Sequence, residues 1–149
     1  MDVLIAHGSE DWRRRLVKSL ADQGIGLLEA AEGTAALDLL MAADAPRLAL
    51  IDWDLLGLDG PELCRLLRDF NLGRPPYVIL LSRAGRERDV TAGLQAGAND
   101  IFLLPVSSRD LCTRVEYGRR VVELPWGESS IDDETDVRQT RLSLQLQTI

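Results

Sequence analysis

The chain has 149 residues, of which 46% are hydrophobic and 28% are charged, and this composition predicts one globular domain with a short appendage. It excludes a disordered or fibrous protein. The formal net charge of −7 repels phosphate backbones and anionic lipid, so we expect no direct nucleic-acid or membrane-surface binding. Two cysteines without a C-x-x-C spacing, and no apolar run approaching the roughly 20 residues of a membrane span, predict a reduced, cytoplasmic protein.

Short apolar runs alternate with amphipathic stretches along the first 124 residues. The runs at residues 3–6, 24–30, 48–51, 77–81 and 100–104 are typical of buried strands. A helical pattern follows each run, and the last two helices are expected over residues 86–96 and 108–124. Five strand–helix units with short connections predict an α/β fold, a flavodoxin-like doubly wound sandwich whose parallel five-stranded sheet has the order 2-1-3-4-5.

Residues 125–149 differ in composition from the residues before them. They hold five acidic and two basic side chains, which predicts an acidic linker. Near residues 141–147, Leu142, Leu144 and Leu146 alternate with polar residues, a period that suits a short edge strand. The alternatives are a tail that frays, a strand that pairs with a neighbouring chain, and the start of a further domain downstream.

The functional crevice of this fold class lies at the carboxyl ends of the strands. The residues expected there are His7, Gly8, Asp52, Ser82, Leu104 and Pro105. Since the first and third strands are neighbours about 4.8 Å apart in the predicted order, His7 and Asp52 are expected to lie close together.

The third apolar run carries a resemblance. Residues Leu48-Ala49-Leu50-Ile51-Asp52, followed by Gly57 and Asp59-Gly60, are similar to the receiver domains of two-component response regulators. Residues 96–100, which read Ala-Gly-Ala-Asn-Asp, and Pro105 extend the similarity over about residues 2–124. The resemblance implies a CheY-like fold in which a histidine kinase phosphorylates Asp52 with the help of a magnesium ion.

The sequence departs from the family pattern around that aspartate. Where the family has two acidic residues for magnesium, this chain has His7 and Gly8, and where the family has a lysine before the proline, it has Leu104. Of the family's active-site set, only Asp52 and Ser82 match. We therefore expect a pseudo-receiver, a non-enzymatic domain without a cofactor that acts through protein partners, with phosphoryl transfer and magnesium binding impaired or lost.

Two alternatives stand beside this prediction. The first is a working receiver that a histidine kinase phosphorylates on Asp52. In this alternative Asp54, or else Glu10 or Asp11, compensates for the missing acidic pair, and Asp52 and Asp54 are the foremost ligands of a magnesium ion. The second, more remote, is a haloacid-dehalogenase-type phosphatase, because Asp52-Trp53-Asp54 resembles the nucleophile motif of those enzymes. That family carries the motif on its first strand, whereas two strand–helix units precede it here.

His7 also suggests a hypothesis about charge. A protonated imidazole would take the place of the metal and hold Asp52 ionised, and the carboxylate would raise the pKa of His7. The alternative is a histidine that is solvated at the rim of the crevice.

Protein contacts are expected on the face formed by the fourth helix, the fifth strand and the fifth helix, where the resemblance implies a dimer or docking surface. Charges of both signs alternate there, which suits reciprocal salt bridges across a two-fold axis. The residues assigned to this face are Arg86, Arg88, Asp89, Asp100, Arg109 and Arg119. A solvated helix surface would show the same pattern.

Overall fold

The computed structural model describes residues 2–70, 73–83 and 85–124. In this part of the chain the strands are β1 (Asp2–Ala6), β2 (Gly26–Ala30), β3 (Leu48–Asp52), β4 (Tyr77–Arg83) and β5 (Asp100–Leu104). The α-helices are α1 (Glu10–Leu20), α2 (Gly33–Met41), α3 (Gly60–Asp69), α4 (Asp89–Ala96) and α5 (Ser108–Glu123), and a 3₁₀ turn (Ala21–Gln23) follows α1. The predicted linker and edge strand of residues 125–149 lie outside the described residues.

The strands form one parallel sheet in the order β2-β1-β3-β4-β5, which confirms the predicted fold class. The three central strands are apolar because helices cover them on both faces. Ala6 of β1 lies opposite Ile51 of β3, and Asp52 lies opposite Leu81 of β4. This register brings the carboxyl ends of β1, β3 and β4 side by side, where the crevice was expected.

Alternate side chains of the strands supply two separate hydrophobic cores. Leu4, Ala49 and Val78 face α2, α3 and α4, and residues such as Leu40 and Leu63 pack against them. The opposite face of the sheet packs against α1 and α5. Right-handed crossovers place the helices on the two faces in this way.

Local chemistry sets the element boundaries, and three of them differ from the prediction by two or more residues. β2 starts at Gly26, since Gly24 has a φ of +66° and ends the preceding turn. β4 continues to Arg83, two residues further than the apolar run. The charged residues Arg86–Arg88 form turns, so α4 begins at Asp89 and ends where Gly97 has a φ of +113°.

Both cysteines are free thiols within the core layers. Burial raises the pKa of Cys64 to about 12. The thiol of Cys112 donates a hydrogen bond to the Ser19 carbonyl and so joins α5 to α1. Among the residues described, none of the helices is long and apolar enough to cross a bilayer.

Candidate functional site

The carboxyl ends of β1 and β3 bring His7 and Asp52 together. His7 Nε2 lies 3.7 Å from Asp52 Oδ2, and the two side chains are only 10% and 15% exposed. The pairing follows from the register, because His7 comes one residue after Ala6 and Asp52 one residue after Ile51. The expected proximity of the two side chains is therefore correct, and His7 is not solvated at the rim.

Contacts with α1 fix the imidazole of His7. The backbone N–H of Ser9 donates to Nδ1 at 3.0 Å, and the Trp12 ring stacks on the imidazole at a centroid distance of 6.2 Å. Arg13 donates to the His7 carbonyl at 2.7 Å. Since Nδ1 accepts a hydrogen bond, the ring is neutral and carries its proton on Nε2, which faces Asp52. Protonation of Nδ1 would place two N–H groups against each other.

Burial decides the protonation of this pair. Desolvation lowers the pKa of His7 below its ordinary value, and it outweighs the attraction of Asp52. Desolvation likewise raises the pKa of Asp52, although the field of His7 opposes that change. The hypothesis of an imidazolium with a raised pKa is therefore wrong, because the loss of hydration exceeds the Coulombic gain at this depth.

The lowered pKa predicts a specific NMR titration. His7 is the single histidine of the chain, so its imidazole resonances are identifiable without assignment. We expect a titration midpoint below 6.5, the ordinary pKa of a histidine, and a still lower midpoint in Asp52→Asn, which removes the attraction of the carboxylate. Since the folded domain then binds this proton less readily than the unfolded chain, the contribution of His7 to the free energy of unfolding falls as the pH drops through 6.5 towards the folded pKa. A midpoint above 6.5 would contradict this description of the pair.

A second group of side chains, here called the Arg86 network, consists of Asp54, Arg86, Asp89 and Ser82. Arg86 Nη1 donates to Asp54 Oδ2 at 2.9 Å, and Arg86 Nε lies 2.9 Å from Asp89 Oδ2. The Ser82 hydroxyl donates to the same oxygen of Asp89 at 2.8 Å. The Arg86 guanidinium also lies over the Trp53 ring, 5.8 Å from its centroid. The network thus connects the loop after β3 to the start of α4.

The remaining predicted site residues surround this crevice. Gly8 is exposed and follows His7 directly. Leu104 is 7% exposed and belongs to the core on the α1 and α5 face, so it presents no charge to the crevice. The cis peptide bond between Leu104 and Pro105 ends β5, and Pro105 is exposed.

The donor set does not fit a magnesium ion. Magnesium prefers oxygen ligands in octahedral geometry, whereas the end of β1 offers an imidazole and a glycine. The Asp54 carboxylate, expected to compensate, already accepts a hydrogen bond from Arg86. Within residues 2–70, 73–83 and 85–124, no group of three or more His, Cys, Asp or Glu side chains is placed to hold a metal ion.

The predicted contact face has fewer charged residues available to a partner than the sequence suggested. Asp89 is buried in the Arg86 network, and Asp100 is fully buried and accepts two hydrogen bonds from Arg114. These carboxylates cannot form salt bridges to another molecule, because pairs within the domain use them. Arg86 and Arg119 form ion pairs within the domain, with Asp89 and Glu116. In the described part of the chain, Arg88 and Arg109 are the exposed members of the set without such an ion pair.

Two arginines of the site, Arg13 and Arg86, were not predicted from the sequence to lie there. Arg13 anchors the His7 carbonyl and lies 3.4 Å from Glu29, and Arg86 bridges the two loops. For Arg13 the sequence does hold a signal, because the helical pattern after β1 places this residue near the first turn of α1 and so close to His7. For Arg86 the sequence holds no signal of its contact with the loop after β3, since Asp54 lies 32 residues away, whereas its other partner Asp89 is only three residues further along the chain.

Comparison with known proteins agrees with this geometry. The family model described as the response regulator receiver domain matches residues 3–116. The chain is 32% identical over 114 residues to the phosphate regulon transcriptional regulatory protein PhoB of Pseudomonas aeruginosa, and 35% identical over 113 residues to the transcriptional regulatory protein AfsQ1 of Streptomyces coelicolor. Each alignment covers 76% of this chain, and 49% and 48% of those proteins, so the chain spans about half the length of the curated relatives it matches.

A solved structure gives the same result. The receiver domain of the Francisella response regulator 1452 superposes with a TM-score of 0.73 at 27% identity, over 82% of this chain and 98% of that chain. The parallel sheet in the order 2-1-3-4-5 agrees with this superposition. The chain belongs to the response regulator receiver domains of two-component systems.

Proposed function

We propose that this domain is a pseudo-receiver, which keeps the receiver fold but does not use magnesium-dependent phosphoryl transfer to Asp52. In this proposal it acts in the cytoplasm, without catalytic activity and without a cofactor, by binding protein partners. The observation that carries the proposal is the His7–Asp52 pair, in which a neutral imidazole lies 3.7 Å from the carboxylate at the place where the family has metal-binding acids.

Electrostatics supports this function. Phosphoryl transfer to a carboxylate needs cations that neutralise the incoming phosphoryl oxygens. Leu104 stands in place of the family lysine and is buried among apolar side chains. Two arginines lie near the crevice: Arg83, whose charge acts on Asp52, is exposed and lies 3.9 Å from Asp54, and Arg86 already pairs with Asp54 and Asp89. A dianionic group on Asp52 would therefore have few partners of opposite charge.

The partners of the domain form a second part of the proposal. The proposed protein contacts, including a homodimer, use the face of α4, β5 and α5. The exposed Arg88 and Arg109 are the residues of this face that are available for such contacts. A histidine kinase is the partner required by the alternative function, in which Asp52 is phosphorylated. The dehalogenase-type alternative is not supported, because Asp52-Trp53-Asp54 lies at the end of the third strand and the chain belongs to the receiver family.

Binding of beryllofluoride, a phosphoryl mimic, tests the proposal directly. The wild-type domain and Asp52→Ala are titrated with beryllofluoride, with and without Mg²⁺, and bound fluoride is detected by ¹⁹F NMR. We expect no Mg²⁺-dependent signal from the wild type at saturating reagent, because the ligand set for the cation is missing. A Mg²⁺-dependent signal that disappears in Asp52→Ala would overturn the proposal and establish a working receiver.

A restored variant provides the positive control. His7→Asp combined with Gly8→Asp returns the acidic pair to the end of β1. A side chain at position 8 has room, because a Cβ there would lie 3.7 Å from its nearest neighbour, the Ala31 carbonyl oxygen. This variant is expected to bind Mg²⁺ at least about tenfold more tightly than the wild type, since two carboxylates replace an imidazole.

A further inference from the structure

We propose that Arg86 is a built-in clamp, which fixes the start of α4 onto the loop after β3 and keeps the Ser82 hydroxyl on Asp89 whatever the charge state of Asp52. The Arg86 network supplies the geometry. One guanidinium contacts Asp54 and Asp89 at 2.9 Å each, although Asp54 lies in the loop after β3 and Asp89 is the first residue of α4.

The contacts of Arg86 restrict its conformation more strongly than a single ion pair would. Its side chain is 33% exposed, whereas the Asp89 side chain is only 9% exposed. A planar guanidinium can donate to two carboxylates and stack on an aromatic ring at the same time, and Arg86 also lies over Trp53. The Trp53 ring in turn lies against α4, because a Cβ on Gly93 would be 3.0 Å from its Cζ3 atom. The clamp therefore joins the loop, the ring and the helix.

Ser82 is the element that couples this clamp to the crevice. A hydroxyl has one proton to donate, and the Ser82 hydroxyl donates it to Asp89 at 2.8 Å in a buried position. While the Ser82 hydroxyl donates its hydrogen bond to Asp89, it cannot donate one to a group on Asp52. Asp89 Oδ2 is thus contacted both by the Ser82 hydroxyl and by the Arg86 guanidinium. The start of α4 thus has one preferred arrangement, set by Arg86.

Backbone hydrogen exchange can test the clamp. The N–H groups of Asp89 and Val90 donate to the carbonyls of Arg86 and Glu87, so their exchange reports the opening of this segment. In Arg86→Ala we expect the exchange of these amides to increase at least about tenfold. Arg88→Ala is the matched control, since Arg88 lies in the same segment and is exposed. In this variant the Asp89 and Val90 amides should exchange within about twofold of their wild-type rates.

Two further variants distinguish a clamp from a local structural role. Asp54→Asn removes the carboxylate partner of Arg86 that lies 32 residues away, together with the longer 3.9 Å pair between Asp54 and Arg83. This variant should also accelerate the exchange of the Asp89 and Val90 amides. Asp52→Asn should leave their exchange unchanged. Wild-type exchange rates in both Arg86→Ala and Asp54→Asn, or an acceleration in Asp52→Asn equal to that in Arg86→Ala, would overturn the inference. The measurement needs neither Mg²⁺ nor a phosphoryl mimic, so its outcome is independent of the beryllofluoride result.

Discussion

Arg114→Ala should lower the free energy of unfolding by about 3 kcal/mol, measured by urea denaturation followed by circular dichroism. Asp100 is fully buried, and Arg114 Nη1 donates to its two oxygens at 2.8 and 2.9 Å while the guanidinium lies over the Phe102 ring. Removing Arg114 takes away the guanidinium that pairs with both oxygens of this buried carboxylate. The melting temperature should fall by roughly 10 °C.

Arg109→Ala is the control for this experiment. Arg109 lies in the first turn of the same helix and is exposed, so its removal should change stability by less than about 0.5 kcal/mol. The double variant Asp100→Asn with Arg114→Ala should recover part of the loss, because the buried charge is then absent. Equal effects of Arg114→Ala and Arg109→Ala would show that the pair contributes no more than an ordinary surface charge.

Arg68→Ala should lower the free energy of unfolding by about 2–3 kcal/mol, because one side chain satisfies three acceptors. From α3, Arg68 donates to the carbonyls of Pro76 and Gly97 and to the side chain of Asn99, at 2.8–2.9 Å. The Asn99 oxygen also accepts the backbone N–H of Val78. Arg68 therefore connects α3 with the segments that precede β4 and β5. Thermal and urea unfolding both measure the loss.

Two other variants isolate the geometry of Arg68 from its charge. Arg68→Lys keeps the charge but lacks the planar fork of donors, so it should recover less than half of the loss. Arg65→Ala removes an exposed arginine from the same helix and should change stability by less than about 0.5 kcal/mol. Full recovery in Arg68→Lys would contradict a role for directional hydrogen bonds.

The sequence predicted the sheet and the location of the crevice because these depend on apolar periodicity. Central strands such as β3 and β4 are continuous apolar runs, and the polar residue that ends such a run lies at the carboxyl edge of the sheet. Asp52 and Ser82 were located in this way. The strand order then placed His7 next to Asp52.

The depth and pairing of charged residues could not be predicted in the same way. Arg86–Asp89 appears in the sequence as a solvated helical run, yet Asp89 is buried, because its partner Ser82 lies on β4. Asp100 appeared available to a partner, although Arg114 covers it from the next helix. The sign of the His7 pKa shift likewise depends on burial, and pattern alone does not give burial quantitatively.

The outer strand β2 has a consequence for self-association. An edge strand exposes backbone donors and acceptors that a second sheet could extend. β2 is only five residues long, and it carries the exposed Glu29, which pairs with Arg13 of α1. Stacking of two domains through this edge would have to bury or displace that carboxylate. Growth of a continuous intermolecular sheet from the β2 edge is therefore disfavoured.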